Sequence, residues 1–315
     1  LRFDTRRDAS LLLNASFRNQ LGGAGTLALT AIIRDEYEFE ARYFAHLGFA
    51  RALGATARAD ARRLNMNMFE DGQPLGGYRS HYYFGELALG SIFSTRMSLG
   101  GGARVEYFHD EVTVGPPELE DRDGFYLPFF ASIIVDSFDR TVFPRSGIYA
   151  ELTAETASDR AGSDSTFSRI FFDWRAVIRV SESVSILQDL YVGTAYGSSI
   201  PDAYNFFLGG VDERFTLLGR EQSFFGVEHQ ELVGRHAQML KLGVQWEVLR
   251  GKYIQAFWNA GNVFEETELT FGEGRYVHGG GVNLGMDTLL GPIEFAMMTS
   301  RLHNFLTYFS FGYKF

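Results

Sequence analysis

Residues 305–315 read Phe305-Leu306-Thr307-Tyr308-Phe309-Ser310-Phe311-Gly312-Tyr313-Lys314-Phe315. Phe305, Thr307, Phe309, Phe311, Tyr313 and Phe315 share one parity; Leu306, Tyr308, Ser310, Gly312 and Lys314 share the other. Side chains of a strand alternate between its faces, so this is a strand with one aromatic side. A strand of about ten residues with an apolar outer face suits one that crosses a bilayer at a tilt. Left at the edge of a soluble sheet it would invite aggregation, whereas pairing with the first strand of a barrel removes the edge.

The same period recurs along the chain. Ala9, Leu11, Leu13, Ala15 and Phe17 oppose Ser10, Asn14, Ser16 and Arg18. Tyr37, Phe39, Ala41, Tyr43 and Ala45 oppose Glu38, Glu40, Arg42 and His46. Ile170, Phe172, Trp174 and Ala176 oppose Arg169, Asp173 and Arg175, and Leu240, Leu242, Val244 and Trp246 oppose Lys241, Gln245 and Glu247. Sixteen such segments are expected, at 1–7, 9–19, 26–35, 36–47, 55–69, 79–94, 97–111, 123–136, 146–157, 165–180, 184–198, 236–250, 252–265, 275–288, 291–301 and 305–315. An even count of strands near membrane length predicts an all-β fold, a 16-stranded antiparallel transmembrane β-barrel, with 1–315 as a single barrel domain. One slip interrupts the pattern. Ala55, Ala57, Ala59 and Ala61 hold one parity and Leu64, Met66 and Met68 the other, which predicts a β-bulge at Arg62–Arg63 or a strand leaving the membrane there.

Composition agrees. Of 315 residues 15% are aromatic, including 30 Phe and 15 Tyr, enough to build the girdles of a membrane barrel. The net charge of −10 argues against a nucleic-acid partner. Cysteine is absent, which excludes disulfides and thiolate metal sites. No run approaches the length of a membrane helix, and a mean hydropathy of −0.10 is what alternating strands leave. No signal peptide opens the chain, so it is expected to be a mature or excised portion whose upstream periplasmic and passenger domains lie outside it.

Catalytic and metal-binding patterns do not assemble. There is no G-x-S-x-G elbow. His46, His81, His109, His229, His236, His278 and His303 are scattered without H-x-x-x-H or H-E-x-x-H spacing. The chain is therefore expected to be no enzyme and to need no cofactor.

The segment 199–236 is too long for a hairpin turn, and a loop of that size in a compact domain is usually functional. It contains Phe206, Leu208, Gly209 and Gly210, then Arg214, Leu218, Gly219 and Arg220. With these residues the chain resembles the outer-membrane assembly and translocation barrels (BamA-like, FhaC-like and patatin-type autotransporters). Their long sixth extracellular loop carries an FxLGG element and an Arg-Gly-aromatic tip that folds back into the lumen. Here Leu218 stands before the glycine and Arg220 after it, which puts the usual lock in question and leaves Arg214 or Arg220 as substitutes. A second matching element is the D-x-x-D-x-x-x-F-P-x-x-G turn of Asp136, Asp139, Phe143, Pro144 and Gly147. A third is WNAGNVFE at 258–265, which fits the strand the family loop packs against, with Glu247, Asn259 and Asn262 as candidate lumenal partners there. The ending on Phe311, Tyr313 and Phe315 resembles the signal that the barrel assembly machinery reads. The opening LRFDTRRDASLLLNASFRN is most similar to the barrel start of patatin-type (type Vd) autotransporters.

The resemblance implies a bacterial outer-membrane barrel that translocates or inserts protein. Its partners would be outer-membrane lipids, the assembly machinery and an unfolded polypeptide passenger, with a fused lipase as one form of it. A homodimer through lipid-facing aromatics stays open. The seam between 1–7 and 305–315 would open laterally, and the loop around Gly219 would plug or stabilise the lumen. Two other readings remain: a passive porin-like pore, whose constriction normally comes from its third loop, and a lipid hydrolase active at the rim, which lacks a Ser–His pair here.

Overall fold

The computed structural model describes all residues except 1, 5–6, 21–24, 34–35, 48–52, 71–72, 95, 118, 198–199, 202–203, 212–213, 216–219, 267–274 and 313–315. For 2–4, 7–10, 19–20, 67–70, 73–74, 92–94, 214–215 and 220 it describes the backbone alone.

Alternation produces a continuous antiparallel wall. Its first strands are β1 (Arg2–Asp4), β2 (Arg7–Gln20), β3 (Gly25–Ile33), β4 (Tyr37–His46), β5 (Leu53–Glu70), β6 (Gln73–Ser94) and β7 (Met97–Val114). Next come β8 (Arg122–Tyr126) and β9 (Phe129–Asp136), which pair with the outer and inner halves of the same edge of β7. They are two pieces of one strand, broken at Leu127–Pro128, where proline has no N–H to give the ladder. β10 (Gly147–Ala157), β11 (Phe167–Arg179) and β12 (Val184–Gly197) follow. The chain then leaves the wall for a small sheet of β13 (Phe206–Leu208), β14 (Arg214–Phe215), β15 (Arg220–Gln222) and β16 (Leu232–Gly234). It returns as β17 (His236–Leu249), β18 (Lys252–Phe264), β19 (Val277–Met286), β20 (Ile293–Ser300) and β21 (Leu306–Phe311). With β8 and β9 taken together the wall has sixteen strands. It closes where Phe3 pairs with Phe311 and Asp4 with Ser310.

Burial is inside out relative to a soluble sheet. Phe39, Leu87, Leu89, Phe129, Leu242, Trp246 and Trp258 are exposed on the outer face, while Asp60, Glu106, Asp173, Lys241 and Asn259 are buried on the inner one. An exposed apolar area of that extent is a membrane-facing belt. On β21, Phe309 is exposed outward and Tyr308 and Ser310 are buried inward, as its parity predicts. Tyr313 and Phe315 lie outside the described residues.

The parity change on β5 is no bulge at Arg62–Arg63. Pairing with β6 runs unbroken from Leu53 to Met68 and shifts only between Met68 and Phe69. β4 stops at the Tyr37–Arg63 pair, and β5 continues past it with β6 and β7. Beyond that level the outer face meets water, so Asn65 is exposed. Met66 points inward with Leu64 into an aromatic cluster around Tyr78, Tyr82, Phe108 and Phe206. The strand keeps its register; its surroundings change from lipid to water.

Candidate functional site

The segment between β12 and β17 fills part of the lumen. Residues 221–227 are all buried, and Phe206, Leu208, Phe224 and Val227 are completely so. β13 pairs in parallel with β15 and antiparallel with β16, making a compact plug of the loop. The two glycines after β13 join it to the inner turn. Gly209 N–H donates to Gln222 O (3.0 Å), Gly210 N–H to Val227 O (2.9 Å) and Phe224 N–H to Gly210 O (3.0 Å). A Cβ on Gly209 would overlap Glu228 O, so only glycine allows this approach.

Three anchorages hold the plug. The first precedes β13. The buried Tyr204 hydroxyl donates to Glu106 on β7, and Arg169 Nη1 on β11 donates to Tyr204 O at 3.2 Å. Glu155 on β10 sits between Arg104 and Arg169 and completes a charge-balanced cluster. Burial, with the nearby Glu106 carboxylate second, pushes the Tyr204 phenol well above its ordinary value, so it remains a donor. Phe167 packs on its ring at 4.2 Å between centroids.

The second anchorage is at the bottom of the loop. Asn259 on β18, with no exposed surface, accepts from Phe225 N–H through Oδ1 (3.0 Å) and donates from Nδ2 to Phe225 O (3.3 Å). A carboxamide carries both an acceptor and a donor, so it can match one residue's two backbone groups; an ionised carboxylate cannot. Its cross-strand neighbour Lys241 pairs with Asp189 (2.8 Å) and reaches Ser223 Oγ (3.4 Å), and Gln222 Nε2 lies 3.4 Å from Asp173. Phe225 packs against Phe257 with centroids 4.7 Å apart. Gly279 on β19 leaves room for Phe225 O, which a Cβ there would overlap. Ser300 Oγ on β20 donates to Gly226 O. The third anchorage is Glu231, which meets His303 Nε2 at 2.8 Å and accepts from Glu228 N–H at 2.7 Å.

At the opposite end of the barrel, the turn between β9 and β10 also folds inward. Asp136 accepts from Phe138 N–H (3.1 Å), and Asp139 Oδ1 accepts from Arg145 N–H (2.8 Å) and Ser146 N–H (3.2 Å), which closes the turn on itself. Gly147 restarts the wall at φ 124°. Phe143 is buried at φ 48°, stacked on Tyr253 of β18 (4.5 Å) against Gly285 of β19. Pro144 O accepts from Gln245 Nε2 (2.9 Å), and Arg145 pairs with Glu247.

Of the three partners expected for the loop, Asn259 alone meets its described residues. Glu247 lies at the far end of β17, where it serves the turn through Arg145 and accepts from Gly251 N–H (3.0 Å). Asn262 donates to Arg275 O instead. Three residues from Asn259 along a strand is an odd step, so the two side chains leave opposite faces. Leu218 and Gly219 lie outside the described residues. Arg214 and Arg220 belong to a β14–β15 pair, and their side chains are outside the described set as well. The Tyr204 anchorage escaped the sequence reading. Its one local signal is a tyrosine just ahead of the FxLGG element, while its partners are 98 and 35 residues away.

Comparison with known proteins places this geometry. The pattern of the OMP85 superfamily matches residues 1–315. BamA from Haemophilus ducreyi lacking POTRA domains 1–3 is similar in structure, with TM-score 0.80 and 12% identity over 100% of this chain and 69% of that one. CdiB from Acinetobacter baumannii (TM-score 0.61, 12% identity) and CdiB from Escherichia coli (0.65, 12%) align with 98% and 96% of this chain. The chain spans 57% and 58% of those two CdiB chains. No curated protein sequence matches it.

Proposed function

From the premise that the chain belongs to the OMP85 superfamily of bacterial outer-membrane barrels, we propose that it is a protein-translocating or -inserting barrel whose lumen is closed by the segment between β12 and β17. The observation that carries the reading is the plug itself. It is seated by separate point contacts, neutral hydrogen bonds at Asn259 and bonds to charged wall groups at Tyr204 and Lys241, rather than by a continuous sheet with the wall. Point contacts can be released one at a time, each worth about 1 kcal/mol net where neutral and about 1.5–3 kcal/mol where a charged group takes part. The chemistry of transport needs no cofactor: an unfolded chain exchanges water for the polar inner wall.

A narrower assignment, the translocator of a patatin-type autotransporter with a lipase passenger, is supported by the opening LRFDTRRDASLLLNASFRN. The C-terminal sequence with Phe311, Tyr313 and Phe315 is the proposed contact for the assembly machinery.

Single-channel conductance tests the main reading. Small, flickering conductance that becomes large and steady on deletion of 203–226 is the expected result. Large, steady conductance in both proteins would replace it with a passive pore.

A further inference from the structure

The two inward-folded segments share a side of the barrel. The loop reaches β7 and β11 through Tyr204, and β17, β18 and β20 through residues 222–226. The turn at 137–146 reaches β12, β17, β18 and β19. Burial of the inner face follows this division. Thr153, Arg169, Asp173, Met239 and Lys241 are buried, as are Asp60 and Arg62 on β5, whereas Asn14 and Ser16 on β2 and Arg42 on β4 are exposed although they also face inward. Register confirms the facing: Asn14, Thr30, Glu40 and Asp60 form one cross-strand row, and Asp60 is paired through Phe84 with the buried Glu106.

The geometry points to the inner wall of β2–β4 as the track along which an extended polypeptide crosses this barrel. The inference rests on the translocation reading and names the surface that reading leaves open. Residues of one parity on a strand repeat about every 7 Å, the same interval at which an extended chain in transit presents its own groups. Asn14 and Ser16 offer a neutral donor and acceptor at that repeat, and Asn14 Nδ2 already donates to Thr30 Oγ1 (2.9 Å). The charges along the wall are met locally: Arg42 by Glu40 (3.1 Å), Arg58 by Glu40 and Asp60 (2.5 and 3.6 Å), and Arg62 by Glu38 and Asp60 (3.2 and 2.5 Å). A surface that is polar but internally neutralised holds a passing chain weakly whatever its sign. Conduction requires binding of that kind, favourable enough to enter and weak enough to leave. The track also borders the closure between β1 and β21, where the described residues pair at Phe3–Phe311 and Asp4–Ser310.

The absence of native cysteine makes the test direct. Single substitutions Ser16→Cys and Arg42→Cys lie on the track, and Thr153→Cys and Met239→Cys lie on covered inner wall. Each full-chain variant, reconstituted in bilayers, is exposed to a small cationic methanethiosulfonate and, separately, to an unstructured Gly/Ser-rich peptide bearing one activated thiol. The expected result is labelling by both reagents at residues 16 and 42, with peptide yields at least about tenfold above those at 153 and 239, where one decade in yield corresponds to about 1.4 kcal/mol of preference. Equal yields at the four positions, or higher ones at 153 and 239, overturn the track while leaving translocation standing. Labelling of 16 and 42 by the small reagent with no peptide adduct anywhere overturns both the track and the translocation reading, and describes an ion pore.

Discussion

Replacing Asn259 with alanine tests whether the loop is seated as described. The substitution removes the acceptor of Phe225 N–H and the donor to Phe225 O, both in a fully buried setting. Two neutral hydrogen bonds contribute about 1 kcal/mol each, and the two backbone groups left behind cost more unless water reaches them, so the docked plug should lose about 2–4 kcal/mol. At 1.4 kcal/mol per decade this raises the undocked-to-docked ratio by about 30- to 700-fold. Asn259→Asp should fall between wild type and alanine: it retains the bond to Phe225 N–H, loses the donor, and has Lys241 directly across the strand pair to meet the new charge. The assay is open probability in single-channel records, with resistance to unfolding in SDS on heating as the check that the wall is intact. Alanine and wild-type records within about twofold of each other, in a barrel that opens when 203–226 is deleted, would refute the seating argument, because the predicted loss is more than ten times that change.

Other outcomes follow from the same contacts. Gly279→Ala places a Cβ into Phe225 O, a backbone atom that cannot step aside alone, so this variant should also open the channel while keeping the heat resistance of the wall. Phe143→Ala removes a buried ring stacked on Tyr253 and should destabilise the barrel by about 3 kcal/mol, read as a lower unfolding temperature with loop docking unchanged. In the hairpin between β10 and β11, the Thr166 hydroxyl, then the Arg160 N–H, hold the Asp159 carboxyl below its usual 3.8. A depressed folded value means its stabilising effect is complete above the unfolded value and is lost as pH falls through the folded one. Amide exchange over 158–166 should therefore accelerate between about pH 4 and lower values in the native protein, and should not show that step in Asp159→Asn.

The strands were legible from the sequence because their alternation is a local property: each residue's parity assigns it to lipid or lumen without knowledge of its neighbours in space. That is why Phe309, Leu242 and Trp246 could be set outward and Lys241 and Asp173 inward from the residues alone. On β5 the same rule left two readings open, a bulge or a strand leaving the membrane, and the unbroken register excludes the bulge: the apolar parity changed but the backbone did not. Periodicity reports which face is apolar, and only the height of β4 relative to β5 decides whether that face meets lipid or water. The site was legible in part. The FxLGG element and the D-x-x-D turn stand out because glycine, proline and aspartate mark tight backbone geometry locally. Which wall residues receive the loop was not, since Asn259, Asn262 and Glu247 are all polar groups on neighbouring strands of the same wall. The barrel's closure and stagger put Asn259 beneath Phe225 and send Glu247 to the opposite mouth, while Asn262 is turned to the other face by strand parity, an odd step from Asn259. Tyr204 and Glu106 make the same point: partners 98 residues apart become neighbours only when the wall has closed around them.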